Sequence, residues 1–64
     1  MEVKVERTGK TEEINFNGKA NELLTLLGIN SEEVLVIVNG ELIALDHKIT
    51  DKDKVEILSV ISGG

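Results

Sequence analysis

Cysteine, proline, tryptophan and tyrosine are all missing from the chain, and Phe16 is its only aromatic residue. Without cysteine there can be no disulfide staple, no thiolate nucleophile and no side chain able to carry sulfur as a persulfide. Stability has to come from hydrogen bonding and from a core built almost wholly of Val, Leu and Ile. Long apolar runs are missing too. The longest, Val34 to Val38, falls far short of the about 20 residues that span a bilayer, and no signal peptide opens the chain. A basic excess is also lacking: seven Lys and Arg stand against twelve Asp and Glu, for a net charge of −5. The acidic balance extends over both halves with no basic patch, which argues against nucleic acid as a direct partner. The expectation is a cytoplasmic protein that engages neither membrane nor nucleic acid.

What is present fits one small domain. A chain of 64 residues has no room for a second core, and at this size only about 60% of the unfolded surface is buried. Val3 and Val5 alternate with Glu2, Lys4 and Glu6, and after a turn at Thr8-Gly9-Lys10 the alternation resumes through Glu13, Ile14, Asn15 and Phe16. This predicts a hairpin with one buried face, with Gly9 at positive φ. Asn17-Gly18 then breaks the strand, and Asn17 is a candidate helix cap. Over Lys19 to Leu27, residues Ala20, Leu23, Leu24 and Leu27 share one helical face, and Gly28 stands where a left-handed C-cap belongs. Beyond the polar turn Asn30–Glu33, Val34–Val38 is a strand apolar on both faces. Asn39-Gly40 turns it back into Glu41-Leu42-Ile43. From Asp46 to Lys54 the chain is polar around Ile49, and Val55 to Val60 forms the last strand. The order predicts an α+β fold with a mixed sheet of four or five strands and one helix across one face. Its core is expected to gather Leu23, Leu27, Val36, Val38, Val55 and Ile57.

Side-chain chemistry offers no convincing site. His47 has Asp46 beside it but no second ligand at metal spacing, and it reads as a turn residue. Asp51 and Asp53 lack the glycine and glutamate of a calcium loop. Thr8-Gly9-Lys10-Thr11 lacks the first glycine and the helix of a phosphate-binding loop, and Asn39-Gly40-Glu41 is simply a turn. No nucleophile and base are paired, so catalysis by this chain itself is not expected.

The remaining feature is the end of the chain, Val60-Ile61-Ser62-Gly63-Gly64. Two residues without Cβ make a thin tail able to enter a slot that any side chain would block. Four residues from Ile61 onward would reach about 13 Å beyond the folded body. The expectation is a folded domain over residues 1–60 that presents a tail over residues 61–64.

The element order, the Val-Asn-Gly-Glu-Leu turn at 38–42 and Ser62-Gly63-Gly64 together resemble the β-grasp proteins of the ubiquitin-like superfamily. The nearest branches are the sulfur carriers ThiS and MoaD and the small archaeal modifier proteins. The likeness covers the whole chain, and Asp51-Lys52-Asp53-Lys54-Val55-Glu56-Ile57 is similar to the family's acidic turn into its last strand. Leu58-Ser59-Val60-Ile61 lacks the paired prolines of MoaD, whereas Ala44-Leu45-Asp46 stands where ThiS usually carries Pro-Arg. The branch therefore stays open. This resemblance implies that a ubiquitin-activating-type adenylyltransferase, using its own ATP and Mg²⁺, adenylates Gly64. Sulfide or a persulfide then displaces AMP to leave a thiocarboxylate for thiamine, molybdopterin or tRNA thiolation. As the alternative, the resemblance implies a modifier joined through Gly64 to lysines of target proteins. In either case Gly63 and Gly64 are the working end, the chain binds no cofactor itself, and it acts as a monomer toward its activating enzyme and its acceptor.

Strand parity suggests where a partner docks. With Val34, Val36 and Val38 toward the helix, Leu35 and Ile37 point away from it, and Leu58 and Val60 join them from the last strand. These four make an apolar patch leading to the tail, of a kind that usually marks an interaction site. The plainer alternatives are a stiffened edge or a homodimer contact. Glu41 and Glu56 are placed to rim the patch and steer a basic partner.

Overall fold

The computed structural model describes residues 1–60. Within it, the alternating segment forms β1 (Glu2–Val5), which pairs antiparallel with β2 (Lys10–Glu13) across a tight turn. Gly9 takes φ +70°, and its N–H donates to the Val5 carbonyl at 2.9 Å. The turn fixes the register, setting Val5 opposite Lys10 and Val3 opposite Glu12. For that reason the second strand ends where the sequence expects it to begin. All four β2 residues are exposed, while Ile14 and Phe16 follow the strand and pack against the core from a loop. Alternation reported the buried side of that segment correctly but not its pairing.

Gly18–Lys19 form a short strand, β3, and the helix α1 covers Ala20–Leu27. Asn17 is not its cap. Because Gly18 and Lys19 are extended and paired with Lys48–Ile49 (β6), the helix starts only at Ala20, out of reach of the Asn17 side chain. Asn17 Oδ1 instead accepts from the Asp51 N–H at 3.4 Å. The first helical N–H groups, which lack intrahelical acceptors, are met from outside. Ala20 and Asn21 donate to the carbonyls of His47 and Leu45, each at 2.9 Å. The Glu22 carboxylate takes the Lys19 N–H at 2.8 Å, where an anion also complements the helix dipole. Gly28, at φ +72°, closes the other end, with the Ile29 N–H reaching the Leu24 carbonyl at 2.9 Å.

A single 3₁₀ turn over Ser31–Glu33 leads into β4 (Val34–Val38), which returns through Asn39-Gly40 as β5 (Glu41–Ile43). The last strand, β7 (Lys54–Ser59), runs between β1 and β4, parallel to the first and antiparallel to the second. The sheet order is β2-β1-β7-β4-β5, so the chain's final strand is its central one. Val60 lies just past β7, yet its N–H still bonds the Glu33 carbonyl at 3.0 Å.

The helix lies across one face of this sheet. Between them are packed Met1, Val3, Ala20, Leu23, Leu24, Val36, Val38, Ile49, Val55 and Ile57. The expected core is there except for Leu27, which is half-buried at its margin. Ile49, alone among polar neighbours, is fully buried. Among the described residues no helix is long and apolar enough to cross a membrane.

Candidate functional site

The face of the sheet opposite the helix carries no covering element among the described residues. Its composition follows from parity. Val36 and Val38 are buried beneath the helix, so Leu35 and Ile37 must project the other way. Register completes the picture: Leu35 stands opposite Leu58, and Ile37 lies between Glu56 on β7 and Leu42 on β5. Leu35 is 42% exposed and Val60 47%, while Ile37 and Leu58 are half-buried by their neighbours. The structure thus brings Leu35, Ile37 and Leu58 together, with Val60 just beyond Leu58 at the end of the described residues.

Leu42 is the residue the sequence reading missed. It is 63% exposed and widens the patch to four strand positions across β5, β4 and β7. The signal was present, because a two-residue Asn-Gly turn sets Glu41 opposite Val38 and Leu42 opposite Ile37. The same register corrects the acidic rim. Glu41 shares the helix-side parity of Val38 and cannot border the open face, whereas Glu56 lies on the open face with Lys4 as its register partner.

The patch is held in shape at the β4–β5 turn. Asn39 is the one non-glycine at positive φ among the described residues, at 52°, and its side chain anchors it. Its Nδ2 donates to Asp53 Oδ1 at 3.1 Å, its Oδ1 accepts from the Lys54 N–H at 3.0 Å, and its own N–H reaches the Lys54 carbonyl at 2.8 Å. Asp53 Oδ2 in turn accepts from the Thr50 N–H at 2.9 Å. That backbone bond first, and the Asn39 amide second, hold the Asp53 carboxyl below its ordinary pKa. The acidic turn of residues 51–54 is therefore a clamp on the hairpin.

The other sequence candidates fall elsewhere. His47 is exposed, and it meets the helix start through its backbone carbonyl. Thr8-Gly9-Lys10-Thr11 spans the first hairpin and continues into a strand. No group of His, Asp and Glu among the described residues is arranged to hold a metal ion. Gly63 and Gly64, and with them the expected tail over 61–64, lie outside the described residues.

A mixed five-stranded sheet grasping one helix, with its opposite face bare, defines the β-grasp class of ubiquitin-like folds. Within that class the chain belongs to the ThiS family, whose family model matches residues 2–64. It is 38% identical over 55 residues to the sulfur carrier protein TtuB of Thermus thermophilus, a match covering 86% of this chain and 85% of that protein. The crystal structure of the thiamine biosynthesis protein ThiS from Geobacter metallireducens matches with a TM-score of 0.68 at 31% identity, over 100% of both chains. A solution structure of a thiamine biosynthesis protein from the same organism gives 0.63 at 30% identity, covering 100% of this chain and 88% of that one.

Proposed function

We propose that this protein is a sulfur carrier that works through a Gly64 thiocarboxylate. Membership of the ThiS family across residues 2–64 carries the reading, and the likeness to a protein named as a sulfur carrier supports it. A carboxylate resists nucleophiles and, with an α-carboxyl pKa of about 3.5, is ionised in the cell, so it has to be activated first. In the proposed sequence a Gly64 oxygen attacks the α-phosphate of ATP in a partner adenylyltransferase, and pyrophosphate leaves. The terminal sulfur of a persulfide then attacks the acyl carbon, AMP departs, and a thiol cleaves the remaining S–S bond to free the thiocarboxylate. Nucleotide, Mg²⁺ and catalytic groups belong to that partner, and this chain is substrate and carrier in the cytoplasm.

The open-face residues Leu35, Ile37, Leu42, Leu58 and Val60 are the proposed docking surface for the adenylating enzyme. Their order supports this, because β7 runs past the patch and hands the chain on at Val60. Thiamine synthesis and tRNA thiolation both fit as destinations of the sulfur, and nothing in the likenesses favours conjugation to proteins. Intact-mass analysis of the protein from its own cells tests the reading. A population in which one oxygen is replaced by sulfur, lost on alkylation or mild hydrolysis, is expected. A branched conjugate to lysine in place of that species would overturn it.

A further inference from the structure

Beside the apolar patch, the open face carries a square of charge. Glu2 and Lys4 on β1 stand in register with Lys54 and Glu56 on β7. Their register neighbours Val3 and Val55 are buried on the helix side, which puts all four charges on the open side. Unlike signs alternate along each strand and across the pair, so the square has no net charge. Lys4 and Lys54 thus supply two of the seven cations of a chain with net charge −5. They also line, with Glu2, Glu56, Asn39 and Ile37, a shallow dish of about 360 Å³ that abuts the patch at Ile37.

Strand register alone would account for the square if its members paired with one another, but they do not. The ion pair formed among the described residues joins the Met1 ammonium to Glu13 at 3.2 Å, and neither Lys4–Glu56 nor Glu2–Lys54 makes one. Three of the four side chains are exposed and Glu56 is half-buried. We infer that the Glu2, Lys4, Lys54, Glu56 square is a specificity determinant, read on contact by a protein surface carrying the complementary alternation of charge beside an apolar ridge that seats on Leu35, Ile37, Leu42 and Leu58. The inference rests on the proposed docking of the adenylating enzyme on this face.

The arrangement also fixes how recognition works. A net charge acts over the Debye length of about 8–10 Å, whereas alternating charges cancel at that range and are felt only near contact. The square therefore leaves the rate of encounter to the net charge of the whole chain and acts on the lifetime of the complex. A surface with the inverted alternation, or the right one docked a quarter turn out, meets like charges at all four corners, which penalises those misdocked arrangements.

The test is a fourfold exchange, Glu2→Lys, Lys4→Glu, Lys54→Glu and Glu56→Lys, which inverts every corner while preserving net charge and each unlike-neighbour relation. It is compared with Ile37→Asp and with the neutral pair Lys4→Gln, Glu56→Gln, by thermal melting and by pyrophosphate exchange with the cognate adenylating enzyme. The exchanged protein is expected to melt like the wild type and to show a KM for the carrier raised about tenfold or more, with kcat kept. The neutral pair should fall between the two. An unchanged KM in a variant that melts normally would overturn the inference. So would melting lowered in parallel by the exchanged and neutral variants with KM untouched, since the square would then serve only the fold. If Ile37→Asp raises KM while the exchange does not, the docking face stands and the charge code falls. If Ile37→Asp has no effect either, both fall together.

Discussion

At the residue scale, three positions depend on the type of residue that occupies them. A Cβ at Gly18 would lie 2.9 Å from the Phe16 ring and 3.0 Å from the Glu22 carboxylate. The ring packs on the core and the carboxylate caps the helix, so neither can simply move aside. Gly18→Ala is expected to destabilise by about 1–3 kcal/mol, measured by urea unfolding. Gly28 is different: nothing lies within 4 Å of a Cβ there, but its φ of +72° is costly for alanine, by about 1–2 kcal/mol. At Asp53 the effect depends on pH. Its folded pKa lies below the unfolded one, so its contribution is fully present above the unfolded pKa of about 3.9 and is lost as pH falls through the folded value. Asp53→Asn should therefore melt below wild type at neutral pH, with the gap closing in acid. A gap that persists or widens in acid would remove the charge from the explanation.

At the element scale, β4 and β7 hold the molecule together, because each puts one side chain in two into the core and the next onto the open face. Ile57 and Leu58 are adjacent in sequence, yet their substitutions should separate cleanly. Ile57→Ala opens a cavity and should cost about 2–5 kcal/mol. Leu58→Asp should leave melting nearly unchanged while raising the KM for the carrier in pyrophosphate exchange. Unfolding by Leu58→Asp would mean that the open face is not free in solution.

Val34–Val38 is apolar at every position and admits either alternation, so the sequence showed only that one set of its side chains must face away from the helix, whereas α1 was legible because Ala20, Leu23, Leu24 and Leu27 keep its period. The two-residue strands β3 and β6 were not legible: Gly18, Lys19 and Lys48 carry no periodic signal, and only the lone apolar Ile49 marks the place. The second strand was displaced in the reading for the opposite reason. Ile14 and Phe16 give a strong apolar signal from a loop, while the residues that actually pair, Lys10–Glu13, give none because they form an exposed edge. Leu42 escaped notice since its strand is short and its face is set by the turn before it rather than by any pattern of its own.

At the scale of the whole molecule, the described residues form a handle with one face packed and one face open. Its helix and core back one face of the sheet, the Asn39–Asp53 clamp fixes the β4–β5 turn, and the central strand β7 sets Leu58 on the other face. Folding and activation should then be separable functions of separate residues. On the proposed function, the chain needs only to be bound, positioned and released by its partners. The measurement that tests this most directly is pyrophosphate exchange by the cognate adenylating enzyme with the full chain and with Gly64 deleted, alongside thermal melts of both. The account predicts identical melting and loss of exchange on deletion, because the reacting carboxylate no longer reaches the α-phosphate. Undiminished exchange by the deleted protein would contradict it, and would show that the end of the chain is not where the chemistry takes place.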